Sequence, residues 1–355
     1  MAESAAEKPK PDLSQNKANV MLRKAAEGKY AIPGVCVVSL SRPSPGSNRT
    51  AYHRSPNAAA PTKHPLSSLN TPPPKIPSSS PPSPTTPHPS PPQLTNQPQY
   101  NLEGILATVR AATAKSSPAM ILLFPWAQTY SSTLLAQAAA TAARAAPVPI
   151  TLHLDHAQSA AAVRTAAASG FYDSIMVDMS HYDRDENLAR TRELVQFCHE
   201  RGIVCEAEPG RIMGGEDGVA DTVDLQAVMT SAEEARAFVD TGIDWLAPAF
   251  GNVHGSYGKR GIRLEFERLE EVREAVGGEV RLVLHGTDGF DRGVYERCVR
   301  GGISKVNING VLNRRYLEVQ REGWRGVSET MEEGTRVMQV AVEECMDMLG
   351  STGKA

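Results

Sequence analysis

From Tyr30 onward the chain alternates short apolar, β-rich runs with longer stretches of helical periodicity. The runs are "AIPGVCVV", "AMILLF", "ITLHLD", "SIMVDM", "VCEAE", "WLAPAF", "RLVLHG" and "KVNIN". Between them lie patterns such as "ENLARTRELVQFCHERG" and "SAEEARAFVDTG", each closing on a glycine suited to a helix C-terminus. Eight such β/α repeats in roughly 290 residues predict a (β/α)8 TIM barrel. A doubly wound open sheet is the structural alternative. No G-x-G-x-x-G follows the first run, which argues against a dinucleotide site.

The periodicity breaks once. Between Ser41 and about Gln99 the chain is rich in Pro, Ser and Thr ("SSSPPSPTTPHPSPPQ") and nearly free of core-forming residues. Such a segment buries too little apolar surface to offset its ordering entropy and is expected to be disordered. Removing it joins "YAIPGVCV" to "YNLEGILATVRAA", a continuous strand–turn–helix unit. The expected organisation is therefore an N-terminal helix and first strand over 1–37, an insertion over 38–99 and the rest of the barrel over 100–355. Two origins are open for the insertion. Loop closure costs only logarithmically more with length, so it can be a tolerated loop at a strand end. It can equally be translated intron: Val38-Ser39 can be encoded by a donor-like GTGAGT, Gln99 by an acceptor-like CAG, and Leu94-Thr95-Asn96 by a branch-point-like string.

Polar residues fall into register at the ends of the apolar runs. Asp155 and His156 end the third, Asp178 the fourth and Glu208 the fifth; His254 follows the sixth, His285 ends the seventh and Asn307 sits on the eighth. In a parallel barrel these ends share one face, where active sites are built. Ile150, Leu152 and Leu154 mark "ITLHLDH" as a buried strand, where a carboxylate between two imidazoles is costly unless chemistry requires it. Three histidines with carboxylates between them suit an open catalytic metal site with three nitrogen ligands and one free position.

Composition narrows the class. The net charge of −3 leaves no electrostatic footprint for nucleic acid or an anionic membrane. No apolar run approaches the roughly 18 residues that cross a bilayer. The N-terminal "MAESAAEKPKPDLSQNK" lacks a signal core. Five scattered cysteines without a C-x-x-C predict reduced thiols and a cytoplasmic location.

The sequence resembles the class II (zinc-dependent) fructose-bisphosphate and tagatose-bisphosphate aldolases. The resemblance is carried by "LHLDH", "GFYDSIMVDMS", "ENLARTRELV", "EAEPGRIMGGEDGV", "LAPAFGNVHGSYG", "LVLHGTDG" and "KVNIN". It implies His156, His254 and His285 as zinc ligands, with Asp178 and Glu208 able to hold the metal in an alternative site. It implies Asp155 as the acid/base at the aldehyde oxygen and Glu216 as the carboxylate that takes the proton from the ketose carbon. Gly255, Gly286 and Asn307 match positions that contact the ketose phosphate or its carbons. A monovalent cation near the phosphate, a metal-stabilised enediolate in place of a Schiff base, and a homodimer or homotetramer are further expectations. His153 is expected to pack rather than to ligate, and His181 and His199 to lie on turn or helix surface.

Three departures bear on the substrate. The serine that usually follows the His-Gly of the seventh strand by one further residue is replaced within Thr287-Asp288, the threonine after the eighth strand is Gly310, and "LFPWAQ" lacks a serine. The expected activity is therefore aldol cleavage or formation on a ketose phosphate or a related hydroxy-ketone. The alternatives are a metal-binding barrel without that activity, and a metal-dependent hydrolase, whose H-x-H pair would normally end the first strand.

Overall fold

The computed structural model describes residues 12–39, 99–212, 229–322 and 326–355. Eight parallel strands close into a barrel: β1 Ile32–Cys36, β2 Ala119–Leu123, β3 Ile150–Ala157, β4 Ser174–Val177, β5 Val204–Ala207, β6 Trp245–Leu246, β7 Arg281–Leu284 and β8 Ile303–Ile308. Each strand pairs with its neighbours in chain order, and β1 closes the ring against β8, with Gly34 beside Asn307. The sequence-predicted TIM barrel is therefore present. The sixth strand is shorter than its apolar run, because only Trp245–Leu246 make ladder hydrogen bonds before the chain leaves for the site.

The helices are α1 Lys17–Gly28, α2 Leu102–Lys115, α3 Pro125–Ser131, α4 Leu134–Ala145, α5 Ala160–Ser169, α6 Arg184–His199, α7 Ala232–Val239, α8 Phe266–Val276, α9 Arg292–Arg300, α10 Gly310–Glu322 and α11 Val327–Leu349. Their starts follow from the sequence. Asn101, Ser159, Asp183 and Asp291 each accept a hydrogen bond from a backbone N–H of the first turn, and Ser231 forms a capping box with Glu234.

Two layers of core explain the strand patterns. Ile150, Leu152 and Leu154 point outward and pack with Ile121, Leu123, Ile175 and Leu284 beneath the helices. Inside the barrel, Ile32, Met120, Leu122, Val204, Trp245 and Val283 pack against Met21, Leu22 and Ala25 of α1, which closes the N-terminal mouth. That helix is tied down by polar contacts. Asn16 donates to the carbonyls of Asp173 and Gly202, Lys17 to the carbonyl of Ile150, and the Trp245 indole N–H donates to Asn19 (2.8 Å). Above this apolar plug the interior turns polar.

The described residues include the two ends of the expected 38–99 insertion. Val38–Ser39 and Gln99–Tyr100 form a two-residue antiparallel ribbon, so Ser39 and Gln99 face each other as paired residues. Residues 40–98 lie outside the described residues. Because the ribbon brings their ends together, replacing 40–98 by a short turn should leave the barrel intact. For a segment with the flexibility its composition predicts, loop entropy favours the shortened chain by up to about 2 kcal/mol. Chemical denaturation of the two chains checks this; a clear loss of stability on excision would show that the segment supports the barrel.

Candidate active site

Strand β3 carries the central device. Regular alternation points His153 and Asp155 into the barrel and would point residue 156 outward. Between Leu154 and Ala157 the register slips: three steps along β3 match two along β4, the mark of a bulge. The extra residue is His156, whose φ of 47° puts it in the left-handed region that histidine enters only at a cost. The bulge turns two consecutive side chains, Asp155 and His156, toward the same mouth, and both are buried.

Three imidazoles converge there. His156 Nε2 lies 3.2 Å from His285 Nδ1, and His254 Nε2 lies 3.3 Å from the same atom. The opposite ring nitrogens each face an acceptor, and His285 Nε2 also lies 3.3 Å from Asn307 Nδ2. His156 Nδ1–H donates to Asp178 Oδ2 (2.8 Å), His285 Nε2–H to Glu206 Oε1 (2.8 Å) and His254 Nδ1–H to the Ile212 carbonyl (3.3 Å). With those protons outside, the inner nitrogens can turn lone pairs toward a cation at the centre, and in its absence a proton on His156 Nε2 can bridge to His285 Nδ1. Nitrogens bound tetrahedrally at about 2.0–2.1 Å stand about 3.3 Å apart, so the spacing fits a zinc-type ion. His156, His254 and His285 are the residues that could hold it.

Charge points the same way. Burial alone would lower the pKa of His156, but Asp155, Asp178 and Glu208 raise it well above the ordinary value. Burial, with His156 and His285 nearby, lowers that of His254. The cluster thus has a place for positive charge at its centre. Asp178 accepts from Ser180 N and Oγ on its second oxygen and is held below the usual carboxylate range despite burial. It stands behind His156, and Glu208 accepts from Ile212 N (2.6 Å). Neither belongs to the group of converging donors.

Asp155 lines the pocket beside the histidines. Its Oδ2 accepts from Asn307 Nδ2 (2.8 Å), while its buried Oδ1 has no hydrogen-bond partner and lies 3.5 Å from His153 Nε2. Burial favours its protonated form, but His156, His153, His285 and Lys305 hold it well below the usual range. Gly286 also lines the pocket; with φ of 69° and Val253 backbone atoms within 2.8 Å of any Cβ, it admits no side chain. Gly255, next to His254, has a φ of 82° and is not among the lining residues. Phe124 stacks on the His156 ring at 5.9 Å, so the serine-free tail of the second strand supplies an aromatic wall. His153 is buried, with Nδ1 2.8 Å from Ser174 Oγ and Nε2 near Asp155 and Glu206, with which it forms a second group of converging donors. Glu216 lies outside the described residues.

Two residues of this network escaped the sequence reading. Glu206, two positions before Glu208 and so on the inward face, holds His285 with one oxygen and accepts from Lys305 Nζ (2.7 Å) with the other. Burial is outweighed by Lys305 and His285, and the Glu206 pKa falls to about 2. The signal was present: a lysine inside the apolar strand "SKVNI" needs a partner.

The described fold and site define a barrel enzyme whose strand-end histidines could hold a metal ion. The class II fructose-bisphosphate aldolase family model matches residues 96–354, beginning where the 40–98 segment ends. The chain is 58% identical over 266 residues to a Coccidioides immitis protein provisionally named a fructose-bisphosphate aldolase, covering 72% of this chain and 88% of that one. It is 35% identical over 274 residues to the fructose-bisphosphate aldolase of Streptococcus pyogenes, covering 72% and 91%. A crystal structure from Coccidioides immitis, likewise provisionally a fructose-1,6-bisphosphate aldolase, superposes with TM-score 0.76 at 47% identity over 96% of this chain and 98% of that one. The YdjI aldolase of Escherichia coli shares the fold, with TM-score 0.68 at 24% identity over 95% and 97%. The chain belongs to the class II fructose-bisphosphate aldolase family and is a carbon–carbon lyase.

The buried ion pair gives one prediction. Lys305→Met removes the cation and leaves Glu206 charged in the barrel, which should cost about 3–5 kcal/mol. Lys305→Met with Glu206→Gln should recover much of that. Equal losses in the single and double variants, measured by chemical denaturation, would show that the pair is not the cause. A second prediction concerns His156: His156→Asn suits the left-handed backbone, so the fold should hold while metal binding weakens greatly. Stoichiometric zinc in this variant, measured by elemental analysis, would remove His156 from the ligand set.

Proposed function

We propose that the protein is a zinc-dependent aldolase that forms or cleaves a carbon–carbon bond in a ketose phosphate or a related hydroxy-ketone. The observation that carries this is the convergence of three imidazole nitrogens beside the buried pocket carboxylate of Asp155. The relatives' names supply the ketose bisphosphate as the first substrate to try. A bound zinc ion would polarise the ketone carbonyl and steady the negative charge left on that fragment.

The chain's own residues divide the proton work. In cleavage, Asp155 takes the proton from the hydroxyl on the carbon that becomes the aldehyde, and in condensation it returns it. Asn307 holds Oδ2 of Asp155, and His153 stands 3.5 Å from Oδ1, so the carboxylate is positioned from both sides. Glu216 is proposed to serve the ketose carbon, so that the two transfers do not compete for one group. His156, His254 and His285 would hold the ion, and Asp178, Glu206 and the Ile212 carbonyl fix their ring protons outward. We further propose assembly into two or four copies and a cytoplasmic location; no described helix is long and apolar enough to cross a membrane.

Asp155→Asn keeps the shape but cannot accept the proton, so turnover should fall by about 100-fold or more with zinc content unchanged. Chelation should abolish wild-type activity and zinc should restore it. Wild-type turnover in Asp155→Asn would remove Asp155 from the mechanism. A zinc-loaded chain inert on a panel of phosphorylated and free ketoses would leave a metal-binding barrel without aldolase activity.

A further inference from the structure

Asp288 lines the same pocket as Asp155, His254 and His285, two residues beyond Gly286. Its neighbour Thr287 has its hydroxyl committed, donating to the Asn307 carbonyl at 2.7 Å. Across from it stands Gly310, the first residue of α10. A Cβ at this position would lie 2.2 and 2.3 Å from the two carboxylate oxygens of Asp288. Gly310 has no positive φ, so its backbone does not demand glycine. The carboxylate occupies the volume that a side chain at 310 would take, so a larger residue there would make Asp288 turn aside.

The two residues therefore form one unit, and the unit carries a charge. The carboxylate lies at the N-terminal end of a 13-residue helix, where an anion is favoured. Among the described residues its one ion-pair partner is Arg314 of the same helix, at 3.7 Å and more than half exposed. The protein thus places its own anion where an anionic substrate group would otherwise be drawn. A phosphate dianion brought here meets like charge, whereas a hydroxyl finds an acceptor.

We propose that Asp288, accommodated by Gly310, is a specificity-determining residue, and that the substrate group facing it is an uncharged hydroxyl rather than a phosphate. This rests on the aldolase reading and narrows its substrate to ketoses unphosphorylated at that end. A phosphate at the far end of the substrate is unaffected.

The test uses the zinc-loaded full chain with one aldehyde, D-glyceraldehyde 3-phosphate, and two donors, dihydroxyacetone and dihydroxyacetone phosphate. Binding of each donor alone is measured by calorimetry. The wild type should bind and use dihydroxyacetone in preference. Asp288→Asn keeps the shape and removes the charge, so the ratio of kcat/KM for the phosphorylated over the free donor should rise at least about tenfold. Asp288→Ser with Gly310→Thr should raise it by more than the two single changes combined, with melting temperature and zinc content held. A wild type that binds the phosphorylated donor as well as the free one, or an unchanged ratio in Asp288→Asn, overturns the proposal while leaving the aldolase reading intact. Selective binding without condensation of either donor sinks the aldolase reading and supports the selectivity.

Discussion

Lys305 and Glu206 meet at 2.7 Å, and neither side chain has any exposure to solvent. A lone charge of either sign would be untenable at that depth, so each exists because of the other. The pair does more than neutralise itself. The second oxygen of Glu206 fixes the ring proton of His285 outward, which frees Nδ1 for the centre of the site. His153 stands 3.6 Å from Glu206 and 3.5 Å from Asp155, joining this pair to the pocket carboxylate. Around the histidines, Asp155, Asp178, Glu206 and Glu208 are all buried, and they outnumber Lys305. The excess negative charge is what makes the centre a cation's place.

The bulge at His156 solves a geometric problem that a regular strand cannot. A strand offers alternate residues to the barrel interior, so a ligand and a proton carrier on the same strand would stand two positions apart. One extra residue places them side by side. The cost is a histidine held in left-handed backbone, tolerated because Asp178 grips its Nδ1 and Phe124 lies against its ring.

Much of this was legible in the sequence, for definable reasons. Alternating β and α patterns read as a barrel because each apolar run is short and α2, α5, α6, α7 and α9 start on capping side chains. His156, His254 and His285 stood out because polar residues ending apolar runs must share one face of a parallel barrel. The bulge was not legible, since nothing in "HLDHA" distinguishes an inward from an outward His156 without the partner strand. The Glu206–Lys305 pair joins strands about 100 positions apart, a separation at which pattern gives a need for a partner but not its identity. Asp288 and Gly310 each appeared as isolated replacements; only the distance between them makes them one change.

Helix α1 gives the barrel a floor. Met21, Leu22 and Ala25 seal one mouth with hydrocarbon, and Trp245 closes the layer above. Among the described residues the interior is covered at its N-terminal mouth, and the charged upper layers lie toward the strand ends. Above such a floor the fields of buried carboxylates are weakly screened and are felt most toward the strand ends. A helix far from the reacting atoms thus sets how strongly they are felt outside.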